Sequence, residues 1–201
     1  DLGNKMRNPI HKRLENLDSW QHLTFMAALC ERMAPNFKLF CQMNELSVET
    51  KTYQNILNLV WEYLTIKDVK INFENQLEKL ESIIPDVNDY DSFGVVPALD
   101  ACQALAEILH AIIAGETLEK AVEISLISLG TVRALLETET GRDWSESKLK
   151  ENEDIQTELD VQWQVYRLLK ECEKRDIELI LALKNEIRTE GISNIGIEFH
   201  Q

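Results

Sequence analysis

The stretch VVPALDACQALAEILHAIIA, Val95 to Ala114, decides the fold. Set on a helix at 100° per residue, Asp100, Gln103, Glu107 and His110 fall within an arc of roughly 80°, while Ala and aliphatic side chains cover most of the remainder. A helix with so narrow a polar edge belongs near the middle of a bundle. Gly115 supplies its C-terminal cap.

Working outward, Thr117 opens a helix that carries Leu118, Ala121, Val122, Leu129, Val132 and Leu136 on one face. Ser125 and Ser128 share that face, where small side chains permit close approach of another helix. A charged connection, Glu137 to Asp154, then leads to the longest predicted helix, about Ile155 to Glu190, ending at Gly191. Toward the N-terminus, Asn72 to Ile84 places Phe73, Leu77, Leu80 and Ile84 on one side and stops at Pro85. Thr50 to Leu64 places Tyr53, Ile56, Leu57, Val60 and Leu64 at i, i+3, i+4, i+7 and i+11. A helix over Ser19 to Met33 is expected to be interrupted by Pro35, which starts another reaching about Glu45. A short helix can begin at Pro9, and the acidic, turn-rich Asp86 to Phe93 reads as a long loop. After Gly191, Ile195, Ile197 and Phe199 alternate with small or polar residues, which is strand spacing. With no second strand to pair with, that tail is expected either to lie extended on the bundle or to contact another subunit. The pattern thus predicts an all-α, single-domain multi-helical bundle over residues 8–201, with a long C-terminal helix, a short extended C-terminal tail and a flexible N-terminal segment, 1–7.

Composition narrows the function classes. Against 35 Asp and Glu there are 21 Lys and Arg, a formal net charge of -14, so a phosphate backbone would be repelled and no nucleic-acid partner is expected. The short basic cluster Lys5, Arg7, His11, Lys12 and Arg13 reads as the solvated end of the first helix. Cys30, Cys41, Cys102 and Cys172 show no paired spacing and read as reduced, core-packed thiols of a cytoplasmic protein. No apolar run approaches the ~18 residues of a membrane span, and no secretory leader pattern is present. No membrane association is expected.

The constellations that could carry chemistry are few. GxSxG, HExxH and Gly-rich phosphate loops are absent, so no catalytic residue, cofactor or metal is assigned. The stripe Asp100, Gln103, Glu107 and His110 faces either water or a cavity. Within it, Glu107 and His110 have the Glu-x-x-His spacing of carboxylate-bridged di-iron bundles, although the second such pair that a full site needs is missing. On the predicted long helix, Glu173 falls on the centre of the apolar face, and Glu158 and Asp176 fall at its margin. Buried carboxylates need partners. Arg133, Arg167 or Arg175 could supply them, or helix curvature could return the carboxylates to water. Asp100, Gln103, Glu107, His110 and Glu173 are therefore the candidates for a polar site. His22, set among Trp20, Leu23, Met26, Leu29, Cys30 and Met33, reads as a hydrogen-bonded core histidine. His11 and His200 lie near the termini with no partner suggested by spacing.

Several words in order give the chain a specific likeness: Asn8-Pro-Ile-His11, Ser19-Trp-Gln-His22-Leu-Thr-Phe-Met26, Cys30-Glu-Arg-Met33, Gln76-Leu-Glu-Lys79, Asp89-Tyr-Asp91, Gly115-Glu-Thr-Leu-Glu119, the run Cys172 to Ile180, and Ser193-Asn-Ile-Gly-Ile197. From residue 8 onward the chain resembles the YjaG-like family of bacterial proteins, a domain of unknown function. The resemblance implies a helical architecture and a bacterial cytoplasmic setting, and it carries over no catalytic residues. Two functions are compatible with the residues: a non-catalytic helical module that binds or regulates a protein partner, or forms a homodimer, and a metal- or small-ligand-binding bundle with its site near Glu107 and His110.

Overall fold

The computed structural model of the chain describes residues 8–199. The 1–7 segment, with Lys5 and Arg7 of the basic cluster, and His200 lie outside the described residues. Within them, nine α-helices form one all-α domain: α1 (Ile10–Arg13), α2 (Ser19–Met43), α3 (Ser47–Thr65), α4 (Phe73–Glu81), α5 (Val95–Ala114), α6 (Thr117–Thr140), α7 (Glu146–Glu151), α8 (Glu153–Lys170) and α9 (Ile177–Glu190). Short 3₁₀ turns follow α1 and precede α5.

The centre of the bundle is α2, not α5 as the sequence suggested. Twenty of its residues are buried, and α3, α5, α6, α8 and α9 all pack against it. The helix starts on a capping box in which Asp18 and Gln21 exchange side-chain and backbone hydrogen bonds. It also runs straight through Pro35, where the sequence predicted a break. Proline in a helix interior costs about 3 kcal/mol through a lost hydrogen bond and a steric clash. Met33, Phe37, Phe40 and Cys41, on either side of it, are all buried. At about 1.5–3 kcal/mol for each large side chain removed from water, their burial outweighs the defect and holds the chain helical.

Packed most extensively on α2 is α5. Contrary to the sequence expectation, α5 is long and apolar enough to cross a membrane by length and composition, but half of its apolar window is buried inside the fold, where it packs on α2, α4 and α6. A second, smaller core of Leu129, Val132, Leu136, Leu149 and Ile155 ties α6, α7 and α8 together.

The long C-terminal helix is divided in two. Between Lys170 and Ile177 there is no aliphatic side chain to bury, and Asp176 caps the N-terminus of α9 by accepting from the Leu179 N–H at 3.1 Å. Arg175 turns away to donate to the Leu64 and Tyr63 carbonyls at the end of α3. The tail, for its part, pairs with itself. Gly191 ends α9 with a φ of 65°, a left-handed value that disfavours a side chain. The Phe199 N–H then donates to the Gly191 carbonyl and the Ser193 N–H to the Ile197 carbonyl, closing a hairpin on an antiparallel bridge between Ile192 and Glu198. Of the two placements predicted for the tail, the structure shows it laid on its own bundle. Asn194 pins it there, donating to the Ser128 carbonyl at 2.9 Å and accepting from the Asn36 amide at 2.9 Å.

Because both of those contacts are buried, Asn194→Ala is expected to cost about 1–3 kcal/mol in chemical denaturation. Hydrogen exchange should show protection lost first in residues 191–199. A variant as stable and as protected as the parent would mean that the hairpin is held by its apolar side chains alone.

Candidate functional site

The polar stripe of α5 is divided between solvent and side chains of α6. Gln103 and His110 are exposed. Glu107 is half-buried, and the cation it holds is the Lys120 ammonium, 2.7 Å away on α6; Lys120 also reaches Glu123 at 3.6 Å. Burial alone would raise the Glu107 carboxyl, but its hydrogen bonds with Glu123 and Lys120 outweigh that and hold it below its ordinary value, while Glu123 is pushed up. Asp100 accepts from the Thr131 hydroxyl at 2.8 Å, and burial pushes it up to about 6 despite that bond. Glu173 sits exposed in the turn between α8 and α9 instead of on an apolar helix face, because the helix it was phased on ends before it. Among the described residues no group of three His, Cys, Asp or Glu side chains is arranged to hold a metal ion.

The other two described histidines are hydrogen-bonded within the bundle. His22 is buried, its Nε2 2.5 Å from the Leu14 carbonyl and its Nδ1 2.9 Å from the Thr117 hydroxyl. A carbonyl can only accept, so Nε2 carries the proton, and in the neutral ring Nδ1 accepts from Thr117. His11 lies 2.9 Å from the Ser125 hydroxyl, which has the look of a base beside a nucleophile. The proton order contradicts that. Ser125 donates its single hydrogen to Gln162 at 2.6 Å, so His11 must be the donor to Ser125, and Ser125 is fully buried. Burial pushes the His11 imidazole below its ordinary value. Gln162 completes the network by donating to the Ser128 hydroxyl and accepting from the Asn8 amide. These polar groups weld α1, α6 and α8 together. Cys30, Cys41 and Cys102 are buried free thiols, all pushed up by burial, Cys41 to about 12.

The feature that the sequence reading missed is Arg32. It and Glu31 are the only charged residues in the run Leu23 to Pro35, and both are buried. Glu31 is well supplied, accepting from the Trp61 indole at 2.9 Å and from Arg188 at 2.7 Å. Arg32 is not. Its Nε donates to Glu158 Oε1 at 2.6 Å, and among the described residues no protein group accepts from its two Nη nitrogens. Glu158, fully buried, was rightly phased toward the apolar face of its helix, but its partner is Arg32 on α2, not Arg133, Arg167 or Arg175. Among the described residues its second oxygen, Oε2, accepts no direct hydrogen bond, although the Ser128 hydroxyl lies close enough to favour the carboxylate; Asn36 Oδ1, one turn along α2 from Arg32, has no partner either. Burial pushes the Glu158 carboxyl above its ordinary value, opposed by Arg32 and by the Ser128 hydroxyl. The sequence shows two adjacent charges in an otherwise apolar run, but not the partner that each one meets.

Arg32 forms the floor of a cleft. Two hollows, of about 210 and about 330 Å³, share Arg32, Glu190 and Ile192. One wall is a single face of α8, running from Asp154 through Thr157 and Val161 to Leu168, a rise of about 21 Å. The C-terminal end of α9, the hairpin and α6 close the other side. The mouth is acidic, with Glu139, Asp154, Glu186 and Glu190 around it. A wider depression at Glu171 to Glu178 is only the concave side of the exposed α8–α9 turn.

The chain belongs to the family described as "Protein of unknown function (DUF416)", whose model matches residues 9–198. It is 97% identical over 196 residues to an uncharacterized protein of Haemophilus influenzae, covering 98% of this chain and 100% of the relative. It is 54% identical, over the same shares, to the uncharacterized protein YjaG of Escherichia coli K12. Its fold matches the crystal structure of a DUF416 family protein from Shewanella baltica OS155 with a TM-score of 0.89 at 31% identity, covering 96% of this chain and 100% of that one.

Two outcomes follow from the charges. Asp100 is raised in the folded state, so its cost to folding is absent below its unfolded value and grows as pH rises through about 6. Asp100→Asn should therefore gain on the order of 1–2 kcal/mol at pH 8 and match the parent at pH 4, as read by denaturation at both pH values; an equal effect at both would contradict the burial account. Arg32→Met alone should cost about 3–5 kcal/mol by stranding Glu158, whereas Arg32→Met/Glu158→Leu should return to parental stability or exceed it. A double variant as unstable as the single would make the pair a structural necessity.

Proposed function

We propose that the protein is a non-catalytic binding module of the bacterial cytoplasm, of regulatory type, whose ligand site is the cleft over Arg32. The observation that carries this reading is the incomplete ion pair. A buried Arg–Glu pair is weak evidence for stability, since apolar replacement of both partners is often neutral or better. Here the two Arg32 Nη groups have no protein acceptor among the described residues, and Arg32 lines both hollows. A ligand that brings acceptors to Arg32 gives the pair a use. Polar groups held on rigid helices and surrounded by apolar walls are the usual make-up of a small-molecule site, and about 330 Å³ lies at the small end of the size range.

The buried free thiols and acidic composition support the cytoplasmic setting. The C-terminal hairpin is engaged with its own bundle through Asn194, so it gives less support to a tail-mediated homodimer or protein partner than its sequence did. A site at Glu107 and His110 also has less support, since Glu107 already holds Lys120 and His110 stands in solvent.

Soaking crystals with a library of small carboxylates, amines and neutral amides tests the reading. The expected result is density in the cleft against the Arg32 guanidinium. Compounds that bind only elsewhere, or none that bind, would remove the cleft as the site.

A further inference from the structure

We propose that the ligand of this cleft is a small aliphatic amino acid in its zwitterionic form, its carboxylate on the Arg32 Nη groups and its ammonium on Glu190; this rests on the reading of the cleft as the binding site. The class follows from the distribution of charge and apolar surface. Among the described residues Arg32 is the only cation lining either hollow, and one of its five N–H donors, on Nε, is already given to Glu158. What remains is a pair of Nη donors, which matches the two oxygens of one carboxylate.

The mouth asks for the opposite charge. Glu139, Asp154, Glu186 and Glu190 are all exposed around it, and with Arg32 and Glu158 cancelling one another they leave the cleft net negative. A ligand with a carboxylate alone must pass these four acids with nothing to offset the repulsion. An amine alone is drawn to the mouth but leaves the Nη donors unmatched. A molecule that carries both groups close together satisfies both ends, and Glu190 is the acid placed to receive the ammonium because it lines both hollows together with Arg32. Between these poles the walls are apolar. Val161, Val165, Leu183, Ile187 and Ile192 face the smaller hollow, and they suit a branched aliphatic side chain.

Isothermal titration with L-leucine, L-isoleucine and L-valine, against 4-methylpentanoate, which lacks the ammonium, and 3-methylbutylamine, which lacks the carboxylate, tests the proposal. At least one of the amino acids should bind tenfold or more tightly than either truncated compound. Arg32→Met/Glu158→Leu should abolish that binding, with its fold checked by hydrogen exchange. Glu190→Gln, an exposed change that leaves the core untouched, should weaken the amino acid about tenfold and leave 4-methylpentanoate no weaker. If 4-methylpentanoate binds as tightly as the amino acids and still depends on Arg32, the zwitterion is overturned and the cleft stands. If no amino acid shows Arg32-dependent binding, the proposal is overturned, and the crystal soak decides separately whether the cleft is a site at all.

Discussion

The burial of Arg32 at the middle of α2 constrains much of the rest of the structure. α2 is enclosed by five other helices, and Arg32 is buried except where it lines the cleft, so the inward Nε side of its charge needs a partner inside the bundle. Glu158 must therefore come from α8 to meet it, and that fixes the rotation of α8 about its axis. With that rotation set, Gln162, one turn further on, points at Ser125 and Ser128 of α6, and the face from Asp154 to Leu168 is left as a wall of the cleft. The small serines of α6 permit the approach, and their hydroxyls and carbonyls supply the hydrogen bonds.

The same requirement accounts for the hairpin. α9 and α8 leave an opening over Arg32 where α9 ends, and the segment Ile192 to Gly196 folds back across its edge. Asn194 spans from Asn36 on α2 to Ser128 on α6, so the tail closes the polar layer on one side and leaves it open on the other. The two carboxylates of the central layer show the contrast. Glu31 is supplied by Trp61 and Arg188 and serves the packing of α2, α3 and α9; Glu158 is supplied on one oxygen only.

How much of this was legible depends on the length scale of each signal. Helix periodicity marked α3 to α6 closely, because each is amphipathic over several turns, and Asn72, Gly115 and Gly141 mark ends of α4, α5 and α6. It failed where local chemistry and tertiary packing disagreed. Pro35 signals a break, yet burial on every side of α2 overrides it. Ile155 to Glu190 keeps an average helical period, yet Asp176 caps a new helix and the charged run before it has nothing to bury. The error moved Glu173 from solvent onto an imagined apolar face. For α5 the stripe of four polar residues was read correctly as a stripe, but whether it met water or a cavity depended on Lys120 and Thr131 of the neighbouring helix, which periodicity cannot place. Arg32 was missed for the opposite reason. Its helix is apolar nearly all round, so there was no polar face on which to seat it, and a pair formed between residues 32 and 158 leaves no mark in local sequence.

The central claim, that Arg32 is locked at one nitrogen and open at the others, can be measured directly by nitrogen-15 NMR of the arginine side chains. The account predicts a slowly exchanging Nε–H for Arg32, held by Glu158 away from solvent, together with rapidly exchanging Nη hydrogens that slow when a carboxylate ligand is bound. Nη hydrogens already protected in the free protein, or an Nε–H that exchanges as fast as those of exposed arginines, would contradict it.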